Sequence, residues 1–127
     1  HLSRITIVTR GTPHVLEQIK TQLERIVPVH RVVDLTVVAH ERGQERPLVR
    51  ELAMVKVAGT GDNRVEALRL ADAFRAQVID ANTEHFIFEI TGRVSKIEQF
   101  IAIMKPLGVV EVCRTGAAAM NRGPEKM

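Results

Sequence analysis

Trp and Tyr are both missing from the 127 residues, and Phe occurs only four times, so aromatics make up 3% of the chain. Binders of single-stranded nucleic acid that work by stacking need aromatic platforms. Four Phe in apolar contexts do not supply one, and a nucleic-acid partner is not expected. With so few rings the core is expected to be aliphatic, built from Val, Ile, Leu, Ala and Met. Cysteine is nearly absent as well: Cys113 stands alone, which excludes an internal disulfide and a Cys-based metal cluster. A single thiol fits a reducing compartment. No apolar run approaches the ~20 residues that cross a bilayer, and no signal peptide is visible. A cytoplasmic protein without a membrane partner is expected.

What is present is globular. Hydrophobic residues make up 45% of the chain and charged residues 26%, with a formal net charge of +3. Residues 2–9, LSRITIVT, carry strand-forming Ile and Thr in near alternation. Thr12 then caps, and Pro13 opens, a helix with Val15, Leu16, Ile19, Leu23 and Ile26 on one face. Pro28 ends it, and β-branched residues 29–38 predict a second strand. HERGQERP, residues 40–47, is the polar stretch with Gly and Pro that best marks a domain boundary. The order beyond it is a strand over 50–57 and a turn over 58–63. Then come a helix over 64–74 using Val65, Leu68, Ala71 and Phe74, and strands over 76–81 and 85–92. A helix over 94–104 stopped by Pro106 and Gly108, and a strand over 109–115, complete the series. This βαββαβ order is the split-βαβ, ferredoxin-like arrangement. The fold class expected is therefore α+β. Residues 1–39 form a partial βαβ unit, 40–48 a linker, 49–116 a complete second unit, and 117–127 a loosely held tail.

LEQI at residues 16–19 and IEQF at 97–100 suggest that one unit is used twice. Setting ITIVTRGTPHVLEQI over FIFEITGRVSKIEQF aligns Gly11 with Gly92 and Leu16 with Ile97. An internal repeat implies that the first copy lacks a leading βαβ, since a half unit leaves its sheet face uncovered. The chain is thus expected to begin inside a domain, an expectation the absence of an initial Met matches.

Candidate sites are few. His1, His14, His30, His40 and His85 have no ligand spacing, and no metal site is expected from them. Cys113 follows Val112 on a strand and is expected to be a buried or half-buried thiol. No Cys, His and Asp arrangement supports nucleophilic catalysis. Gly59, Thr60, Gly61 and Asp62 form a turn between a strand and a helix, where an anion can sit at the helix N-terminus. Arg42, Arg46 and Arg50 form a basic run suited to an acidic partner surface. Arg64, Arg69 and Arg75 are expected on the surface. Glu17 and Glu98 occupy matching helix positions on exposed faces.

HVLEQIKTQLERIVPVHRVVDL (residues 14–35), RELAMVKV, FRAQVIDA and VVEVCRTGAAAMNRG together resemble the small, regulatory subunit of acetolactate synthase (acetohydroxyacid synthase). The resemblance covers nearly the whole chain. It implies an N-terminal ACT domain, here represented by residues 1–39, and a second ferredoxin-like domain. It further implies a homodimer that performs no chemistry and binds valine at the dimer interface. The implied partner is the catalytic large subunit, which carries thiamine diphosphate, Mg and FAD. The effector residues it implies precede His1, and the turn Gly59–Asp62 is the second domain's counterpart of that loop. Two other classes fit less of the sequence. An amino-acid-sensing transcription regulator needs a helix-turn-helix, which is not visible here. A small ferredoxin-like acyl phosphatase needs an Arg and an Asn on a phosphate, for which Arg64 and Asn63 are the candidates.

Overall fold

Two stretches of alternating apolar residues, LVRELAMVKVA and HFIFEITG, lie side by side as antiparallel strands. In chain order the elements are α1 (Pro13–Glu24), α2 (Leu35–Glu41), β1 (Leu48–Ala58), α3 (Asp62–Ala73), β2 (Gln77–Ala81), β3 (His85–Gly92), α4 (Val94–Gly108), β4 (Val109–Arg114) and β5 (Ala118–Met120). The computed structural model describes residues 2–127; His1, one of the histidines considered above, lies outside them. Two compact units divide the chain: His1–Leu48 with Ala119–Met127, and Val49–Ala118.

The second unit carries the sheet order β2-β3-β1-β4, antiparallel throughout, with α3 and α4 as its crossovers. It is an α+β, ferredoxin-like unit. Register puts Ala53, Val55 and Val57 of β1 opposite Ile90, Phe88 and Phe86 of β3, and all six are buried. Alternation explains this: one face of each strand meets the helices while Met54, between them, is exposed. From α4 come Ile97, Phe100 and Met104 at helical spacing, all fully buried.

The core is not purely aliphatic as composition suggests. All four Phe gather in this one unit. Phe88 meets Phe100 edge-on at 6.1 Å and 89°, and Phe74 meets Phe100 at 5.5 Å and 62°. Phe86 and Phe88 lie 5.5 Å apart along β3. A low global count conceals a high local one, because the four rings converge from α3's end, β3 and α4 on one centre. Edge contacts of this kind add about 0.5–1.5 kcal/mol beyond area burial.

Helix α3 also differs from expectation. Its buried stripe is Ala67, Ala71 and the partly buried Leu70 and Phe74, whereas Val65 is 65% and Leu68 39% exposed. Alanines let the helix lie close to a sheet whose own Phe side chains fill the space. Pro106 does not stop α4, which continues to Gly108. Pro106 lacks the N–H that would bond the Ala102 carbonyl, but its place near the C-terminus confines that loss to the last turn. The chain turns at Gly108 (φ +112°), where a Cβ would run into the Ala58 carbonyl.

Glu51 is buried at 5% exposure on the helix-facing side of β1. Its Oε1 accepts from Arg114 Nε at 3.1 Å and Nη2 at 2.6 Å. That hydrogen bond raises the Arg114 pKa; partial burial opposes it, and the Glu51 and Glu98 charges reinforce it. The pair ties β1 to β4 next to the Ala53↔Arg114 register position.

The first unit departs further from the sequence reading. Residues 2–9 form no helix or strand, and Leu2 and Ile5 are 75% and 83% exposed. β propensity acts through cross-strand packing, so Ile and Thr alone do not make a strand. The side chains of Arg4 and Thr6 reach Ala119 O and N, which gives this segment polar anchors instead. Residues 29–38 are not a strand either. Asp34 caps α2, its Oδ1 accepting from Thr36 N at 3.1 Å and Val37 N at 3.2 Å. Two captured amides outweigh the β preference of Thr36, Val37 and Val38. The expected βαβ of residues 1–39 is thus a coil and two helices. Residues 40–41 close α2 rather than belonging to a linker, and residues after Ala118 pack with this unit: Arg122 donates to Arg46 O and reaches Glu45 at 3.6 Å. Of the proposed repeat, the helices coincide: α1 and α4 begin at the same offset that relates LEQI to IEQF. The preceding strand occurs only in the second copy.

Truncating the ring at the centre, Phe88→Ala, is expected to destabilise the second unit by about 3–5 kcal/mol. Val65→Ser on the exposed face of α3 is expected to change it by less than about 0.5 kcal/mol. Urea unfolding followed by circular dichroism checks both. Glu51→Ala is expected to cost about 1–3 kcal/mol, less than a fully buried pair because Arg114, 34% exposed, can turn to water.

Candidate functional site

The Gly59–Asp62 turn joins β1 to α3. Gly59 N donates to Glu84 O at 3.0 Å, which ties the turn to the β2–β3 connection. Gly61 occupies the N-cap position of α3 at φ +60°, a conformation glycine adopts readily, and offers no side-chain cap. Thr60, Gly61 and Asp62 are exposed, and Asp62 places its carboxylate in the first turn, where the helix dipole favours negative charge. Arg64 is not simply on the surface. Its guanidinium carbon lies 3.9 Å from the Phe86 ring centroid, and its Nη1 is buried without a hydrogen-bond partner. A cation held on a ring face in this way is not free to join Asn63 on a substrate phosphate. Arg69 lies further along the helix, paired with Glu66, whose pKa it lowers mainly through that hydrogen bond.

Arg42 and Arg46 belong to the first unit, Arg50 to the second. Arg42 is the C-cap of α2 and lies 4.0 Å from Glu125; the Arg46 carbonyl accepts from Arg122. Arg50 stands on β1 with Nη1 donating to Val49 O at 2.7 Å. The three arginines are thus divided between the two units. Within the second unit Arg50 lines, with Thr91, Gly92, Arg93 and Lys96, a cleft of about 370 Å³. Sequence reasoning missed Arg93 and Lys96. Their signal was weak: two cations around the start of α4 in TGRVSK.

Cys113 is exposed, not buried as expected. It lies on β4, the outermost strand of the β2-β3-β1-β4 order, opposite Met54 on the helix-free face of the sheet. His14 and His40 sit at opposite ends of different helices, α1 and α2. Among the described residues no three His, Cys, Asp or Glu side chains come together as a metal site. Among them also, no helix is long and apolar enough to cross a membrane. Glu98 is exposed on α4, 4.0 Å from Arg114.

An α+β protein with a ferredoxin-like unit and clefts lined by charge is, as a class, suited to binding and association. Comparison with known proteins makes this particular. The family model described as the small subunit of acetolactate synthase matches residues 50–123. The acetolactate synthase small subunit of Mycobacterium leprae is 36% identical over 123 residues, covering 97% of this chain and 69% of the relative. That of Aquifex aeolicus is 38% identical over 122 residues, covering 95% of this chain and 60% of the relative. The crystal structure of the acetolactate synthase small subunit from Thermotoga maritima superposes with a TM-score of 0.76 at 34% identity, over 91% of this chain and 68% of that one. The chain belongs to the acetolactate synthase small-subunit family.

Proposed function

We propose that this chain is a non-catalytic regulatory subunit. In this reading it binds the thiamine-diphosphate-dependent catalytic subunit of acetolactate synthase, raises its activity and confers feedback inhibition by valine on branched-chain amino acid synthesis. The carrying observation is the likeness to proteins named acetolactate synthase small subunits along nearly all of the chain. The cofactors thiamine diphosphate, Mg and FAD are assigned to the catalytic partner. Residues 1–39 are read as part of an ACT domain and 49–116 as the second domain, acting as a cytoplasmic homodimer.

Association is supported by the first unit's surface. Of its hydrophobic side chains Ala39 alone is buried among the described residues, while Ile5, Val8, Ile26, Val27 and Val37 are each about half or more exposed. Apolar side chains left exposed in this way are available to an interface. Valine would act by favouring one of two states of the assembled enzyme, with a coupling of about 1–3 kcal/mol. Effector residues are placed mainly before His1, with the turn Gly59, Thr60, Gly61 and Asp62 as the candidate within this chain. Arg42, Arg46 and Arg50 are the candidate contacts to an acidic surface of the catalytic subunit.

Acetolactate formation by the catalytic subunit, alone and with this chain added, tests the reading. The rate is expected to rise on addition; any fall with valine would be carried by the Gly59–Asp62 candidate, since the other effector residues are placed before His1. An unchanged rate with no complex on size exclusion would overturn the regulatory assignment. Replacing Arg42, Arg46 and Arg50 together by Gln is expected to weaken the complex by about 10-fold or more; unchanged affinity removes those residues from the interface. Asp62→Asn separates the effector candidates: valine sensitivity that does not move excludes a role for that carboxylate.

A further inference from the structure

We propose that the cleft between the start of β1 and the first turn of α4 binds a phosphate group, free or carried on a small molecule. This goes beyond the regulatory reading and does not depend on it. The cleft holds about 370 Å³ and is lined by Arg50, Thr91, Gly92, Arg93 and Lys96. That volume lies at the low end of the ~300–1,000 Å³ usual for small-molecule sites. Three of its five lining residues are cations and none is a carboxylate.

Other cations of the same unit are differently placed: Lys56 meets Glu111 at 3.4 Å, and Arg114 meets Glu51 at 2.6 Å. Among the described residues Arg50, Arg93 and Lys96 take part in no salt bridge. Like charges gathered on one cleft repel, and an anion between them removes that repulsion. The fold holds them there. Glu51 pairs with Gly92 at the end of the β1–β3 ladder, so Arg50 on β1 and Arg93, the N-cap of α4, both adjoin that pair. Lys96 Nζ donates to Thr91 O at 3.1 Å, which returns its ammonium to the strand end. Gly92 makes this path possible, since a Cβ there would stand 2.7 Å from Lys96 Cδ.

The ligand class follows from the donors. A carboxylate brings one charge and two oxygens. A phosphate brings about two charges and three free oxygens, enough for two guanidinium forks and an ammonium. The polar, open setting makes charge the main source of affinity, so binding weakens as salt rises.

The test is a titration of the isotopically labelled full chain with inorganic pyrophosphate at constant ionic strength, followed by amide chemical shifts. Saturable shifts confined to residues 91–97 and the start of β1 are expected. Arg93→Gln with Lys96→Gln is expected to weaken binding about 10-fold or more. Arg75→Gln with Lys105→Gln, the same charge loss elsewhere in the unit, is expected to change it by less than about two-fold. Both pairs are exposed or half-buried, and unchanged shifts in the core verify folding. Arg50 is left in place, so a failure here is separate from a failure of partner docking. Shifts that do not saturate, or equal weakening in the two variant pairs, would overturn the proposal. So would tighter binding of a Glu-rich peptide of equal charge, which would make the cleft a contact for an acidic protein surface.

Discussion

Everything in the second unit depends on the ring of Phe100 lying edge-on to Phe88. This contact joins the longest helix to a central strand. Around it β1 and β3 fix each other's register, and Ala67 and Ala71 let α3 settle on the same layer. A packed centre of this kind tolerates little displacement, since a gap left by a missing ring is not refilled. The positions of Arg93 and Lys96 at the other end of α4 are consequences of it. Their helix is docked through Ile97, Phe100 and Met104, and the strand leading into it is docked through Phe88 and Ile90.

The second unit was legible because its signals agree with one another. Alternation in β1 and β3, the glycine after β3, and the apolar spacing of α4 all require the same layered arrangement. In the first unit the signals conflict. Thr36, Val37 and Val38 favour a strand, whereas Asp34 three residues earlier offers a cap for a helix. With no neighbouring strand pairing the segment, the local hydrogen bonds of the cap decide. Cys113 departs from expectation for a related reason: its strand character is clear in the sequence, but position in the sheet is a tertiary property, and β4 is outermost.

The site residues show the same limit. Arg42, Arg46 and Arg50 look like a cluster along the chain, yet two belong to one unit and one to the other. Arg50 and Arg93 are distant along the chain and brought together by the Glu51↔Gly92 pairing. Charge patterns in sequence report proximity only within a helix turn or a loop. Between strands, register decides.

Arg50 belongs both to the candidate docking set and to the phosphate cleft, and this sharing dictates a sign. An anion held by Arg50, Arg93 and Lys96 cancels positive charge that an acidic partner surface would otherwise meet. Bound phosphate therefore opposes docking through Arg50, and by linkage a docked partner lowers phosphate affinity by the same factor. No change of backbone is needed for this coupling, because both ligands address the same charge. Such competition is screened by salt, whereas valine acting through a packed interface would be far less so. Ionic strength would thus distinguish the proposed competition from the proposed control by valine.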